Sequence, residues 1–237
     1  MIDDPTILVP IDASDPNEYP ADIIDLLAPA KVVVLGYYPV PDQAAPDHLQ
    51  EEYQEEAKAA MEPTVRSFAR QGAAVESVLV FTRDRTQSID RVANEFGCDA
   101  VLVPGDIHDL NNVLVSLKDE TNMFRVLEVV GLLLEDANPA VTLFHAASIE
   151  KGSARSELYL RGATDWLRDR GLDRERITWK EPTEETQESD LLELAESHDF
   201  VITGEYEPGL RERVVGDMPN RIADTTDTDV LVVRKER

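Results

Sequence analysis

The side chains that could do chemistry are few and scattered. The four histidines, His48, His108, His145 and His198, share no ligand spacing with one another or with a cysteine. Zinc and related metals need such spacing, so no metal site is expected. His145 closes an apolar run and reads as a strand-end residue. His198 follows a helical pattern, where an imidazole can serve the negative end of the helix dipole. Cys98, the single cysteine, excludes an internal disulfide and a Cys-rich zinc site. It sits between a helical pattern and an apolar run and reads as a small, buried, inert thiol. The sequence contains no G-x-S-x-G, Walker loop or G-x-G-x-x-G. Glu51–Glu56 reads as the solvated face of a helix, and Trp166 and Trp179 as core residues. The chain is not expected to be an enzyme.

The elements that would have to position any site are written into the composition. The chain has 237 residues, 48 of them Asp or Glu and 23 Lys or Arg, a formal net charge of −25. Phosphate contacts need basic residues on one face, so nucleic acid is not an expected partner. An anionic membrane surface is excluded on the same ground. The hydrophobic fraction of 42% is enough for a core, so acidity here does not mean disorder. Acidic residues are dispersed along the whole chain, and arginine supplies most of the positive charge. That pattern fits a protein kept hydrated in concentrated salt, where self-repulsion is screened, and so a salt-adapted, haloarchaeal-type host. The start, Met-Ile-Asp-Asp-Pro, does not resemble a signal peptide. The longest apolar run, Val129 to Leu134, is far short of a membrane span, and a cytoplasmic location is expected.

The apolar runs Thr6–Ile11, Lys31–Gly36, Val75–Phe81 and Ala100–Pro104 are short, β-branched and not alternating. Such runs suit strands buried on both faces of a parallel sheet. Between them lie helical patterns. From Asp47 to Gly72, Tyr53, Ala57, Met61, Val65 and Phe68 recur at three- and four-residue spacing, with a kink expected at Pro63. A second helix is predicted over Thr86–Phe96. Alternating strand and helix predicts an α/β fold with right-handed crossovers.

The order then repeats. Asn112–Leu117, Ala140–His145, Ile177–Lys180, Phe200–Thr203 and Asp229–Arg234 read as strands, and Met123–Asp136, Arg155–Arg170 and Asp190–Ser197 as helices. The segment Ile89–Gly105 parallels Leu192–Gly204: helix, acidic turn, strand, glycine. After Pro104 only about eight residues lead to the next strand, which leaves no room for a further helix and strand. The prediction is therefore two tandem doubly wound parallel-sheet domains. Residues 1–110 form a truncated first domain with four strands, and residues 111–237 a complete second one with strand order 3-2-1-4-5. The final strand, left with an open apolar edge, is expected to pair with its counterpart in another chain and give a homodimer.

Three segments carry a resemblance to the universal stress protein family in a tandem two-domain form. Ile7-Leu-Val-Pro-Ile-Asp-Ala-Ser14 looks like its first strand and turn. The paired helix–acidic turn–strand segments look like its third helix and fourth strand, and Asp224–Val233 like its last helical turn and final strand. The resemblance implies the adenine nucleotide α-hydrolase-like fold and a site at the carboxyl ends of the strands. There an Asp after the first strand contacts the nucleoside, and a glycine loop, G-x2-G-x9-G-S/T, holds phosphates through its backbone N–H groups.

Carried onto this sequence, the site is incomplete in both halves. Asp12 takes the Asp position of the first half, and Gly105 the first glycine, but no glycine follows until Gly131. The plainer role for Asp12 is to cap a turn or the next helix. In the second half Gly204, Gly209 and Gly216 are separated by four and six intervening residues, not two and nine. Asp217 replaces the Ser or Thr, and Glu205 and Glu207 add charge that repels phosphate. Lys118, followed by Asp119, stands at the Asp position, and Arg211 and Arg213 could offset the acids. The candidate nucleotide-binding residues are therefore Asp12, Gly204, Gly209 and Gly216. No cofactor is expected, and the ligand class the resemblance allows is ATP or another adenine nucleotide. Two functional readings stay open: a stress or regulatory protein acting by dimerisation and partner binding with a degenerate nucleotide site, and a nucleotide-sensing module associated with a membrane transporter. A hydrolase of the wider superfamily would need a phosphate loop such as SGGxDS, which Asp12-Ala-Ser-Asp15 lacks.

Overall fold

The structure, a computed structural model, describes residues 4–105, 110–117, 120–135, 137, 139–145, 153–180, 187–205 and 217–235. The first half runs β1 (Thr6–Asp12), α1 (Ala21–Leu27), β2 (Lys31–Pro39), α2 (Pro46–Arg70), β3 (Val75–Thr82), α3 (Arg85–Glu95) and β4 (Ala100–Val103). The second runs β5 (Asn112–Leu117), α4 (Glu120–Leu134), β6 (Ala140–His145), α5 (Ser153–Arg168), β7 (Ile177–Lys180), α6 (Gln187–Ala195), β8 (Phe200–Gly204), α7 (Asp217–Thr226) and β9 (Asp229–Val233). No helix among the described residues is long and apolar enough to cross a membrane.

The fold is α/β and doubly wound, with the apolar runs forming strands buried on both faces. One layer contains α1, α2, α4 and α5, and its core includes Ile24, Leu27, Phe68, Leu127 and Leu167. The opposite layer contains α3, α6 and α7, packed through Ile89, Val92, Leu191 and Ile222. Helix α2 continues through Pro63 for 25 residues. Helix α1 is an element the periodicity reading did not single out. At seven residues, with Pro20 before it and Pro29 soon after, it is too short to display a full repeat.

Two separate sheets were expected; the strands form one. The order is β3-β2-β1-β4-β9-β8-β5-β6-β7, nine strands in a single sheet. Within the second half the order is 3-2-1-4-5, all parallel. The halves meet where β4 and β9 pair antiparallel, Ala100 with Val233 through Val103 with Val230. The edge expected to recruit another chain is therefore occupied within this one. The physical reason is symmetric need: β4 has no fifth strand of its own half beside it, and β9 has one unpaired edge. Each supplies the other's missing ladder. Strand β9 is interior, and the ends of the sheet are β3 and β7.

The antiparallel seam has a consequence for sites. All strands of the first half point one way and all strands of the second the other, so the two carboxyl-end crevices open at opposite edges of the sheet. Polar contacts fasten the seam. Arg234, just past β9 and buried, donates to the carbonyls of Ala93 and Cys98, both at 2.8 Å, and to the side chain of Asn94, at the end of α3. Arg125 of α4 donates to the carbonyl of Arg234 and to the Asp99 carboxylate, both at 2.9 Å.

Candidate functional site

The first-half crevice lies where β1 and β4 end. Asp12 closes β1, and its carboxylate accepts from the Ser14 amide at 2.9 Å and the Ser14 hydroxyl at 2.6 Å. It is the cap of a turn, and it also borders a cavity of about 510 Å³. The other acids on the wall are Asp15, Glu18 and Asp229, and the cation facing them is Arg85. Asp229 comes from the second half. As the first residue of β9, it is carried to this edge by the antiparallel seam and is 2% exposed. Its carboxylate accepts a hydrogen bond from the Gly105 amide at 2.7 Å. Gly105 also lies against the backbone of Asp227 and Thr228, where a Cβ would strike the Asp227 carbonyl. The glycine amide at the end of β4, the position suited to an anion, already holds one supplied by the chain itself.

The rest of the wall is chemically quiet. The Arg85 guanidinium stands over the Tyr37 ring, 5.0 Å from its centre. Burial raises the Tyr37 hydroxyl pKa above its ordinary value, with Arg85 opposing. Tyr19 donates its hydroxyl to the Pro10 carbonyl at 2.7 Å. Burial, reinforced by the Asp229 charge, pushes its pKa well above the ordinary phenol value. Both phenols are therefore neutral at physiological pH. Four carboxylates against one guanidinium make a poor cradle for phosphate. No group of acids, histidines or cysteine among the described residues is arranged to hold a metal ion.

The second-half crevice, at the ends of β5 and β8, is filled differently. Gly204 ends β8 and packs against the Asn122 side chain, which would collide with any Cβ there. The Asn122 amide in turn donates to the Val233 carbonyl at 3.2 Å. The Glu205 amide donates to Val233 at 2.7 Å, and its carboxylate accepts from the Lys235 amide at 3.0 Å. Gly204 is thus fitted to α4 and to the end of β9. Gly209 and Gly216 lie outside the described residues, as do Lys118, Asp119, Glu207, Arg211, Arg213 and the Asp217 side chain.

The remaining candidates have structural partners. His145 is buried, bonds Ser156 at 3.0 Å through Nδ1, and packs against Tyr159. The His198 ring bridges the Leu194 carbonyl at 2.6 Å and the Thr142 hydroxyl at 2.9 Å. Cys98 is buried, and desolvation pushes its thiol pKa up to about 11. Trp166 and Trp179 pack against the core, with the Trp179 N–H donating to Thr164 at 2.7 Å.

Solved structures resemble this arrangement along nearly the whole chain. A universal stress protein from Archaeoglobus fulgidus DSM 4304 superposes with a TM-score of 0.59 at 14% identity, over 97% of this chain and 96% of that one. The fold is that of the universal stress proteins. A functionally unknown protein from Pseudomonas aeruginosa PAO1 shares it, with a TM-score of 0.56 at 13% identity over 98% of this chain and 93% of its own. No family model and no curated protein matches the sequence.

Within this universal-stress fold, sequence reasoning located Asp12 and Gly105 at the first crevice but missed Asp229, Arg85, Tyr19 and Tyr37. Arg85, Tyr19 and Tyr37 carry no motif. Asp229 opens an apolar strand 124 residues beyond Gly105, and no local signal says that this strand runs antiparallel to β4. The one available hint was the missing fifth strand of the first half, which implied that something must cover β4.

Proposed function

We propose that the chain is a regulatory protein of the universal stress type that works through protein contacts rather than catalysis, with a degenerate adenine-nucleotide site. The observation that carries this reading is the 2.7 Å hydrogen bond from the Gly105 amide to the Asp229 carboxylate. A phosphate binding there would have to displace a buried carboxylate and then sit beside Asp12, Asp15 and Glu18. Coulomb repulsion opposes both steps. The quiet surroundings of Tyr19, Tyr37, His145 and Cys98 favour a non-catalytic role, since none is poised as a base or nucleophile.

Support for a contact surface comes from Phe124 on α4 and Leu158 on α5, large apolar side chains left 57% and 67% exposed. Association with a second copy is part of the reading, through this helical layer rather than through β9.

Equilibrium dialysis against ATP in multimolar KCl tests the nucleotide half. No saturable binding dependent on Asp12 is expected; stoichiometric ATP binding that is lost on Asp12→Ala refutes it. Light scattering tests the contact half: the unmodified protein associates, and Phe124→Ser with Leu158→Ser returns it to monomer. A monomer at all concentrations removes self-association from the reading.

A further inference from the structure

We propose that the groove between α1 and the second half of α2 is an oxyanion site that takes the phosphate group of a small, multiply charged ligand. The groove encloses about 320 Å³ on the other side of Tyr19 from the acidic cavity. Thr64, Arg66, Ser67 and Arg70 of α2 line it. Their spacing of three and four residues sets two guanidinium groups and two hydroxyls along one strip of the helix. Guanidinium forks and hydroxyl donors together match a group with three acceptor oxygens.

Two observations separate this strip from ordinary surface. Arg70 has no hydrogen bond, ion pair or ring contact among the described residues. That is unexpected in a chain where carboxylates outnumber cations 48 to 23. Its place in the last turn of α2 suits the helix dipole, which accounts for a cation there but not for its facing a groove. Thr64 is the second observation. It is 94% buried, being 6% exposed, and its hydroxyl has no partner among the described residues. The buried helical Thr164 and the part-buried Thr226 behave differently. Each returns its hydroxyl to the carbonyl four residues back, Leu160 and Ile222, at 2.8 Å. The Thr64 hydroxyl is not sealed from solvent, and the groove it lines is the space from which a ligand oxygen can reach it.

Two features set the ligand's charge. Arg66 already pairs with Glu62, and Glu18 stands on the groove wall. A monovalent anion gains little against those carboxylates, whereas a phosphate ester or pyrophosphate carries enough charge to be held. The site uses none of the residues at Gly105, so it does not depend on the nucleotide reading above.

Calorimetric titration at constant ionic strength in KCl tests it, with pyrophosphate and inorganic phosphate as probes and succinate as the carboxylate control. Pyrophosphate is expected to bind one per chain. Arg70→Gln should weaken it by about tenfold, and Thr64→Val, which keeps the shape, by about threefold. Arg91→Gln, on the opposite layer, should change nothing. Absence of pyrophosphate binding, unchanged affinity in Arg70→Gln, or succinate binding as tightly as pyrophosphate overturns the proposal. Nucleotide held by this groove would be lost in Arg70→Gln and kept in Asp12→Ala, so its failure and that of the nucleotide reading are distinguishable.

Discussion

The two halves place glycines at equivalent points, Gly105 after β4 and Gly204 at the end of β8, and occupy the space beside them by different means. At Gly105 the neighbour is backbone and a carboxylate from the other half of the chain. At Gly204 it is the side chain of Asn122 from the same half. The acidic turn before each strand, by contrast, makes the same link to the neighbouring strand. Asp99 accepts the Thr6 amide at 3.0 Å while its own amide reaches Thr6 O at 2.7 Å. Asp199 accepts the Asn112 amide at 2.8 Å while its amide reaches Asn112 O at 2.9 Å. The repeat therefore survives in this backbone link, although Arg125 of the second half also pairs with Asp99, and diverges at the glycines. Strand β9 makes the difference: it belongs to the second half by parallel pairing with β8 and serves the first by antiparallel pairing with β4.

The strongest way to break this comparison is to weaken β9 itself. Leu231 is fully buried and pairs with both Leu102 and Ile202. Leu231→Ala should cost about 2–5 kcal/mol, and hydrogen exchange should show β1 and β5 amides losing protection together. Loss confined to the second half would mean that the seam is not shared.

The clamp at the far end of β9 comes next. Arg234→Ala leaves the carbonyls of Ala93 and Cys98 and the side chain of Asn94 without their common donor. A loss of about 1–3 kcal/mol is expected in denaturant titration, with exchange rising first at the end of α3. A neutral effect would reduce the clamp to decoration.

The glycines sharpen the comparison directly. Gly105→Ala drives a methyl into backbone and should cost about 1–3 kcal/mol. Gly204→Ala meets a side chain that can turn away and should cost less. Equal losses would show the two crevices to be packed alike.

Cys98 should give the smallest effect. With its thiol pKa raised by burial from 9.0 to about 11, the native protein should resist alkylation at neutral pH. The sign of the linkage follows. The folded thiol holds its proton more tightly than the unfolded one, so its stabilising contribution is complete below about pH 9 and falls away as pH rises toward about 11. Rapid labelling of folded protein at pH 7.5 would contradict the burial.

Much of the fold is legible in particular segments. The runs at Asn112–Leu117, Ala140–His145 and Ile177–Lys180 become strands over those same residues, because β-branched apolar clusters bounded by polar turns have few other outcomes. The parallel order of β5 to β9 follows from the alternation of helix and strand, since right-handed crossovers leave little choice. Helix α1 was not legible, being too short for periodicity to appear. Asp12 was legible as both a turn cap and a residue of the crevice, because its position after β1 is a local fact. Asp229 was not.

What the sequence by itself determined is the local order: which segments are strands or helices, and that four strands precede five. The tertiary structure decided that the nine strands make one sheet, that β9 is interior, and that Asp229 rather than an incoming anion meets the Gly105 amide. These depend on which open edge finds which. An edge is a row of identical backbone donors and acceptors, and it carries no side-chain code that names its partner.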